Sequence, residues 1–219
     1  MNKYRLRFEK TGRSIYISHL DLMQVFQRAF FRAGINLAYS EGFNPHPQIS
    51  VAMPLPLGCA SICELLDFKS NDILENDDFC SQINKVMPEG IRALKLYTSE
   101  TKASGIMSTD FEILFKFNDI NLEDIKNEFS EFFRSPDIPV DKKSKRGMLK
   151  LNLAQYSELK ELEIENGMLK TVFNASAQEP VINPALIVDA LSQNAFKYEP
   201  EYTFLKRLEN YDKEHHVFM

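Results

Sequence analysis

Four side chains in the first third of the chain have acid–base or ligand chemistry to offer: His19, His46, Glu64 and Asp67. His19 falls where a helix begins, and the positive end of a helix favours a neutral imidazole. His46 is held between Pro45 and Pro47, so its backbone is stiff and its ring could meet a metal, a phosphate or an exposed base. No HxH or HxxxH spacing accompanies it, and a loop histidine that merely braces its own segment accounts for the pattern more simply. Cys59 and Cys63 lack the spacing of a zinc pair, and Cys80 falls inside a helical pattern, so all three read as core residues. His215 and His216 stand in a polar tail. The eight glycines form neither GxGxxG nor GxxxxGK, and no GxSxG elbow is present. Nucleotide-dependent catalysis and serine hydrolysis therefore lack a motif, and neither a metal nor a cofactor is expected.

A second kind of chemistry is electrostatic. Residues 1–40 carry seven basic and two acidic side chains, +5, so the other 179 residues must carry −10 of the total −5. That excludes a uniformly basic nucleic-acid binder and leaves room for a local cationic patch. Arg5 and Arg7 alternate with Tyr4, Leu6 and Phe8, the period-two pattern of a half-buried strand. Gln24, Arg28 and Arg32 lie four apart on the polar side of a helix. A later run, Lys142-Lys143-Ser144-Lys145-Arg146, reads as a solvated loop.

The elements that must position these groups are legible. Ser18 can cap a helix, with Asp21 closing the capping box; Leu22, Val25, Phe26, Ala29, Phe30 and Ala33 line its inner face, and Gly34 stops it. Extended segments are expected at Ile15–Ile17, Asn36–Tyr39, Gln48–Met53, Cys59–Phe68 and Ile91–Tyr97, with a second helix within residues 71–87. The order is β-α-β-β-α-β. It then recurs: a strand from Phe111 to Phe117, a helix from Leu122 to Phe132, an extended Met148–Leu153, a hairpin around Asn166-Gly167, a helix opened by Pro184, and a strand from Glu201. The pattern predicts an α+β fold of duplicated ferredoxin-like units with antiparallel sheets. Residues 1–98 form the first domain, 99–108 a polar linker and 109–212 the second domain.

The segments Tyr16-Ile-Ser-His-Leu-Asp-Leu22, Arg28-Ala-Phe-Phe-Arg-Ala-Gly34 and Tyr39-Ser-Glu-Gly-Phe-Asn-Pro-His-Pro47 resemble the radical SAM-linked protein family. The similarity runs on through Pro54-Leu55, Gly58, Ser61, Glu64 and Asp67, covering about residues 4–70. That family is a domain without an assigned reaction, fused to or encoded beside radical SAM proteins. The resemblance implies a radical SAM enzyme as partner, and no catalytic residues carry over. The chain itself has no Cys-x₃-Cys-x₂-Cys cluster motif.

The expected function is a non-catalytic RNA-recognition or substrate-presenting partner of a radical SAM enzyme, in tRNA or rRNA modification. RNA contact is assigned to Arg5, Arg7, Arg28 and Arg32 for phosphate, to Tyr39, Phe43 and His46 for stacking, and to Asn44 for hydrogen bonding. One alternative is an enzyme using His19 and His46 with Glu64 or Asp67 on a nucleic-acid or small-molecule substrate. Another is a structural adaptor that docks the radical SAM enzyme. Composition agrees with a globular protein: 44% of the 219 residues are apolar and 26% charged. No apolar run reaches the ~20 residues of a membrane helix. The start, Met1 to Arg7, places charges where a signal peptide needs its apolar core. With an odd number of cysteines as well, the expectation is a cytoplasmic protein outside the membrane.

Overall fold

The computed structural model describes residues 1–98, 101–118, 121–144 and 147–219. The chain divides into two compact units, Met1–Gly105 together with Met219, and Ile106–Phe218.

In the first unit, β1 (Asn2–Lys10) leads through a 3₁₀ turn (Gly12–Tyr16) into α1 (His19–Arg32). Then follow β2 (Ile49–Ala52), β3 (Cys59–Ser70), α2 (Asn76–Asn84) and β4 (Ile91–Tyr97). Within the unit the strands lie in the order β4-β1-β3-β2, and every pairing is antiparallel. That order is the ferredoxin-like one. Ser18 caps α1: its Oγ accepts from the Asp21 N–H at 3.1 Å and donates to the Asp21 carboxylate at 2.7 Å. Tyr4, Leu6 and Phe8 of β1 pack with Phe26, Phe30, Phe68 and Phe79 into one aromatic core beneath the helices. Phe8–Phe26 and Phe30–Phe68 have ring centroids 4.8 Å apart.

The second unit repeats the scheme. β5 (Ser108–Lys116), α3 (Leu122–Phe133), β8 (Ser157–Glu165), β9 (Met168–Ser176), α4 (Pro184–Gln193) and β10 (Tyr202–Tyr211) form a sheet ordered β10-β5-β9-β8. The β8–β9 hairpin turns on Asn166 and Gly167, both at positive φ (50° and 72°), as its two-residue loop requires. Asn183 caps α4 by accepting from the Leu186 N–H at 2.8 Å, with Pro184 just inside the helix. Phe115, Phe129, Phe133 and Phe173 fill its core.

Some local expectations change. Ile15–Ile17 does not form a strand: Ile15 and Tyr16 belong to the 3₁₀ turn, closed by the Ile17 N–H donating to the Ser14 carbonyl at 3.2 Å, and the Lys10 ammonium donates to the Ile15 and Ile17 carbonyls at 3.4 and 3.3 Å. Asn36–Tyr39 makes only isolated bridges, Leu37 to Ser70 and Tyr39 to Pro47. Met148–Leu153 is indeed extended (β7, Gly147–Asn152), but it pairs with a strand the pattern did not show, β6 (Pro139–Ser144), as a separate hairpin. β6 carries Asp141, Lys142 and Lys143 and lacks the apolar alternation that would reveal it. Thus Lys142 and Lys143 lie on a strand, while Lys145 and Arg146 fall outside the described residues. The division between units comes at Gly105/Ile106, within the segment read as linker, of which Ser99 and Glu100 are also outside the described residues. Ile106 is buried and the Met107 N–H donates to the Tyr211 carbonyl at 2.7 Å, so these residues belong to the second unit.

Candidate nucleic-acid interface

Alternation in β1 puts Lys3, Arg5 and Arg7 on the sheet face opposite the helices. Arg5 was expected there as an exposed phosphate ligand, and the structure corrects that. Its side chain is only 1% exposed and grips Asp67, its cross-strand partner, with Nε to Oδ1 at 2.5 Å and Nη2 to Oδ2 at 2.8 Å. The remaining N–H groups donate to Thr101 Oγ1 and carbonyl, both at 3.0 Å, and to the Met219 main-chain oxygen at 3.2 Å. Among the described residues five hydrogen bonds hold the guanidinium, so Arg5 is a fixed internal strut. Arg7 is half-buried on the same face. Asp67, considered as an acid–base group, is committed to Arg5.

One step along the strands, Lys3 stands directly opposite Lys69. Like charges in that register repel, and neither lysine has an ion-pair partner among the described residues. Lys3, Lys69 and Lys102 line a groove of about 490 Å³, with Gln48 and Ser50 on one wall and the Arg5–Asp67 pair behind. Among the described lining residues, the only carboxylate is the one already neutralised by Arg5. The groove is therefore cationic and concave.

Gln48 joins this groove to the Tyr39–Pro47 loop. Its side-chain amide donates to the Tyr39 carbonyl at 2.9 Å and its N–H to the Ala38 carbonyl at 2.8 Å. Ser40 closes the loop: its N–H donates to the His46 carbonyl at 2.8 Å, and its Oγ accepts from the His46 N–H at 2.9 Å. Gly42 sits at φ 126°, a conformation that side chains resist. At the tip Phe43 is fully exposed, flanked by exposed Asn44, while Tyr39 is half exposed. His46 is exposed as well. The loop is thus braced by its own hydrogen bonds and leaves the Phe43 ring in solvent rather than in the core.

Arg28 and Arg32 lie on the outer side of α1, Arg32 exposed beside exposed Phe31 and Arg28 donating to Gln24 at 3.5 Å. The helix separates them from the groove, which lies on the other side of the sheet. The structure thus divides the expected arginine set into a buried strut, a half-buried strand residue and a distant helical pair.

His19 and Glu64 come together elsewhere. They line a cavity of about 10 Å³, room for a single water, with Lys10, Leu22, Val51, Pro54 and Leu55. Glu64 is 1% and Lys10 3% exposed. Burial pulls the Lys10 ammonium below its usual pKa, against the opposing attraction of Glu64 and Cys59. His46 does not line this cavity and Asp67 is paired with Arg5, so the expected combination of His19 and His46 with Glu64 or Asp67 is not assembled there. Among the described residues no three of His, Cys, Asp and Glu gather where they could hold a metal. Cys59 and Cys63 are buried and Cys80 half-buried, its thiol pKa raised by burial.

Sequence reasoning missed Lys69, Lys102 and Lys10. Lys3 was available, since it shares the parity of Arg5 and Arg7. Lys69 needed the β1–β3 register, which sequence alone does not supply.

A search among curated proteins finds no match. Among solved structures, the chain is similar to one in "Crystal Structure of a Cbf5-Nop10-Gar1 Complex", with a TM-score of 0.49 and 8% identity, covering 94% of this chain. It spans about half, 48%, of that chain's length. No helix is long and apolar enough to cross a membrane among the described residues. Residues 3–184 match the family described as "Uncharacterized protein conserved in bacteria (DUF2344)", and the chain belongs to that family.

Proposed function

We propose that this protein is a non-catalytic RNA-recognition or substrate-presenting partner of a radical SAM enzyme, acting in tRNA or rRNA modification. The observation that carries the recognition half is the groove of the first unit. Three lysines without ion-pair partners among the described residues surround it, two of them in a register that repels unless an anion lies between them. Phe43 adds a stacking surface on a loop joined to the groove wall through Gln48. The radical SAM partner rests on the resemblance of residues 4–70, and the cytoplasm follows as the compartment such a partner shares.

The test is binding of short single-stranded RNA at low salt, alone and with the radical SAM partner. Lys3→Glu with Lys69→Glu should abolish most binding and reduce the salt slope by about 0.7 for each phosphate no longer neutralised. Absence of wild-type binding under both conditions refutes RNA recognition.

A second reading, an enzyme, draws on a different observation: His19 and Glu64 flank one cavity with Lys10. An imidazole, a carboxylate and an amine around a water-sized space can move a proton. Activity of the chain without any partner, abolished in His19→Gln at unchanged stability, would favour it.

A further inference from the structure

We infer that the groove receives the phosphomonoester end of a single-stranded RNA rather than a run of internal backbone; this rests on the RNA reading above. Three features of the groove point to one highly charged group. Lys3 and Lys69 are direct cross-strand neighbours on one face, so their Cβ atoms lie about 5 Å apart. Two ammonium groups on stems rooted so closely converge on the oxygens of a single phosphate. Lysines that follow a backbone are instead spread along it, one per phosphate.

The charge balance agrees. Lys102 adds a third ammonium, and the Asp67 carboxylate lining the same space is already satisfied by Arg5. Such a surplus suits a monoester, which carries about −1.5 to −2 at neutral pH, better than a diester with its single charge. The volume, about 490 Å³, suits a terminal nucleotide and is of the size that small ligands occupy. The Thr101–Ala103 segment and residues Gln48–Ser50 both contribute to the lining. Phe43, exposed on the loop that Gln48 joins to the groove, would offer its ring to a base farther along the strand.

The experiment compares oligouridylates of one length with a 5′-phosphate, a 3′-phosphate, or hydroxyls at both ends, by calorimetry at fixed salt. At least one phosphorylated form should bind about tenfold tighter than the hydroxyl form, and the two arms identify which end is read. Lys3→Met with Lys69→Met should erase that difference; Lys102→Met, on an exposed residue outside the sheet, should reduce it without disturbing β1–β3 pairing. Equal affinities of all three wild-type complexes would overturn the inference and leave RNA recognition standing. A phosphate preference that persists in both lysine variants would overturn the assignment to this groove. No binding of any oligouridylate would overturn this inference together with the function it rests on.

Discussion

Arg5 and Asp67 face each other across β1 and β3 and lock side by side, Nε to Oδ1 at 2.5 Å and Nη2 to Oδ2 at 2.8 Å. A forked pair of this kind fixes both side chains, and here it also removes the carboxylate that would otherwise neutralise the neighbouring lysines. The pair therefore supports the groove electrically as well as structurally.

Asp67→Asn should cost about 2 kcal/mol in urea denaturation, because it leaves a buried guanidinium without its counter-charge. The loss is smaller than for a fully buried pair because Asp67 is one-third exposed and solvent screens its charge. Lys3→Met, by contrast, should change stability by no more than about 0.5 kcal/mol and in the stabilising direction, since it relieves the repulsion with Lys69. A marked destabilisation in Lys3→Met would mean that the lysine has a structural partner.

Stability should respond to Lys10 at alkaline pH. Its folded pKa is lowered by burial, so above that value the unfolded chain holds a proton that the folded chain has released. Unfolding free energy then rises with pH until the unfolded lysine also titrates, near about 10.4. The stability difference between wild type and Lys10→Met, followed by urea denaturation from neutral pH upward, should shift toward wild type across that window. A difference independent of pH would show that Lys10 titrates normally.

Phe43→Ala should leave the thermal midpoint unchanged, since the ring stands fully in solvent and supports no packing. RNA affinity should fall by about 1–3 kcal/mol, the usual contribution of one stacked base. If thermal stability drops instead, the ring packs in solution and the loop is structural.

Gly90→Ala should destabilise the first unit by about 2 kcal/mol. Gly90 has φ 84°, and an added Cβ would run into the Thr11 carbonyl oxygen and Ser14 Oγ. The backbone cannot back away, because the Gly90 carbonyl accepts from the Thr11 N–H at 2.7 Å. Chemical denaturation of the variant checks this directly, and a neutral result would mean that the turn around Thr11 yields.

Much of the architecture could be read from local pattern because local pattern causes it. Alternation at Tyr4, Leu6 and Phe8, the Ser18–Asp21 cap and the Asn166-Gly167 turn each depend on residues a few positions apart. Those short-range constraints define both ferredoxin-like units. They do not reveal β6, whose charges hide its strand character. The stiffness of the Tyr39–Pro47 loop was legible because Gly42 and the prolines act on their own neighbours. Tertiary structure alone decided which charges are available. Asp67, 62 residues from Arg5 in sequence, turns that arginine from a phosphate ligand into a strut, and the β1–β3 register sets Lys3 against Lys69. Register is determined by the burial of a whole strand face against its neighbours, so a pairing of distant charges has no local signature in the sequence.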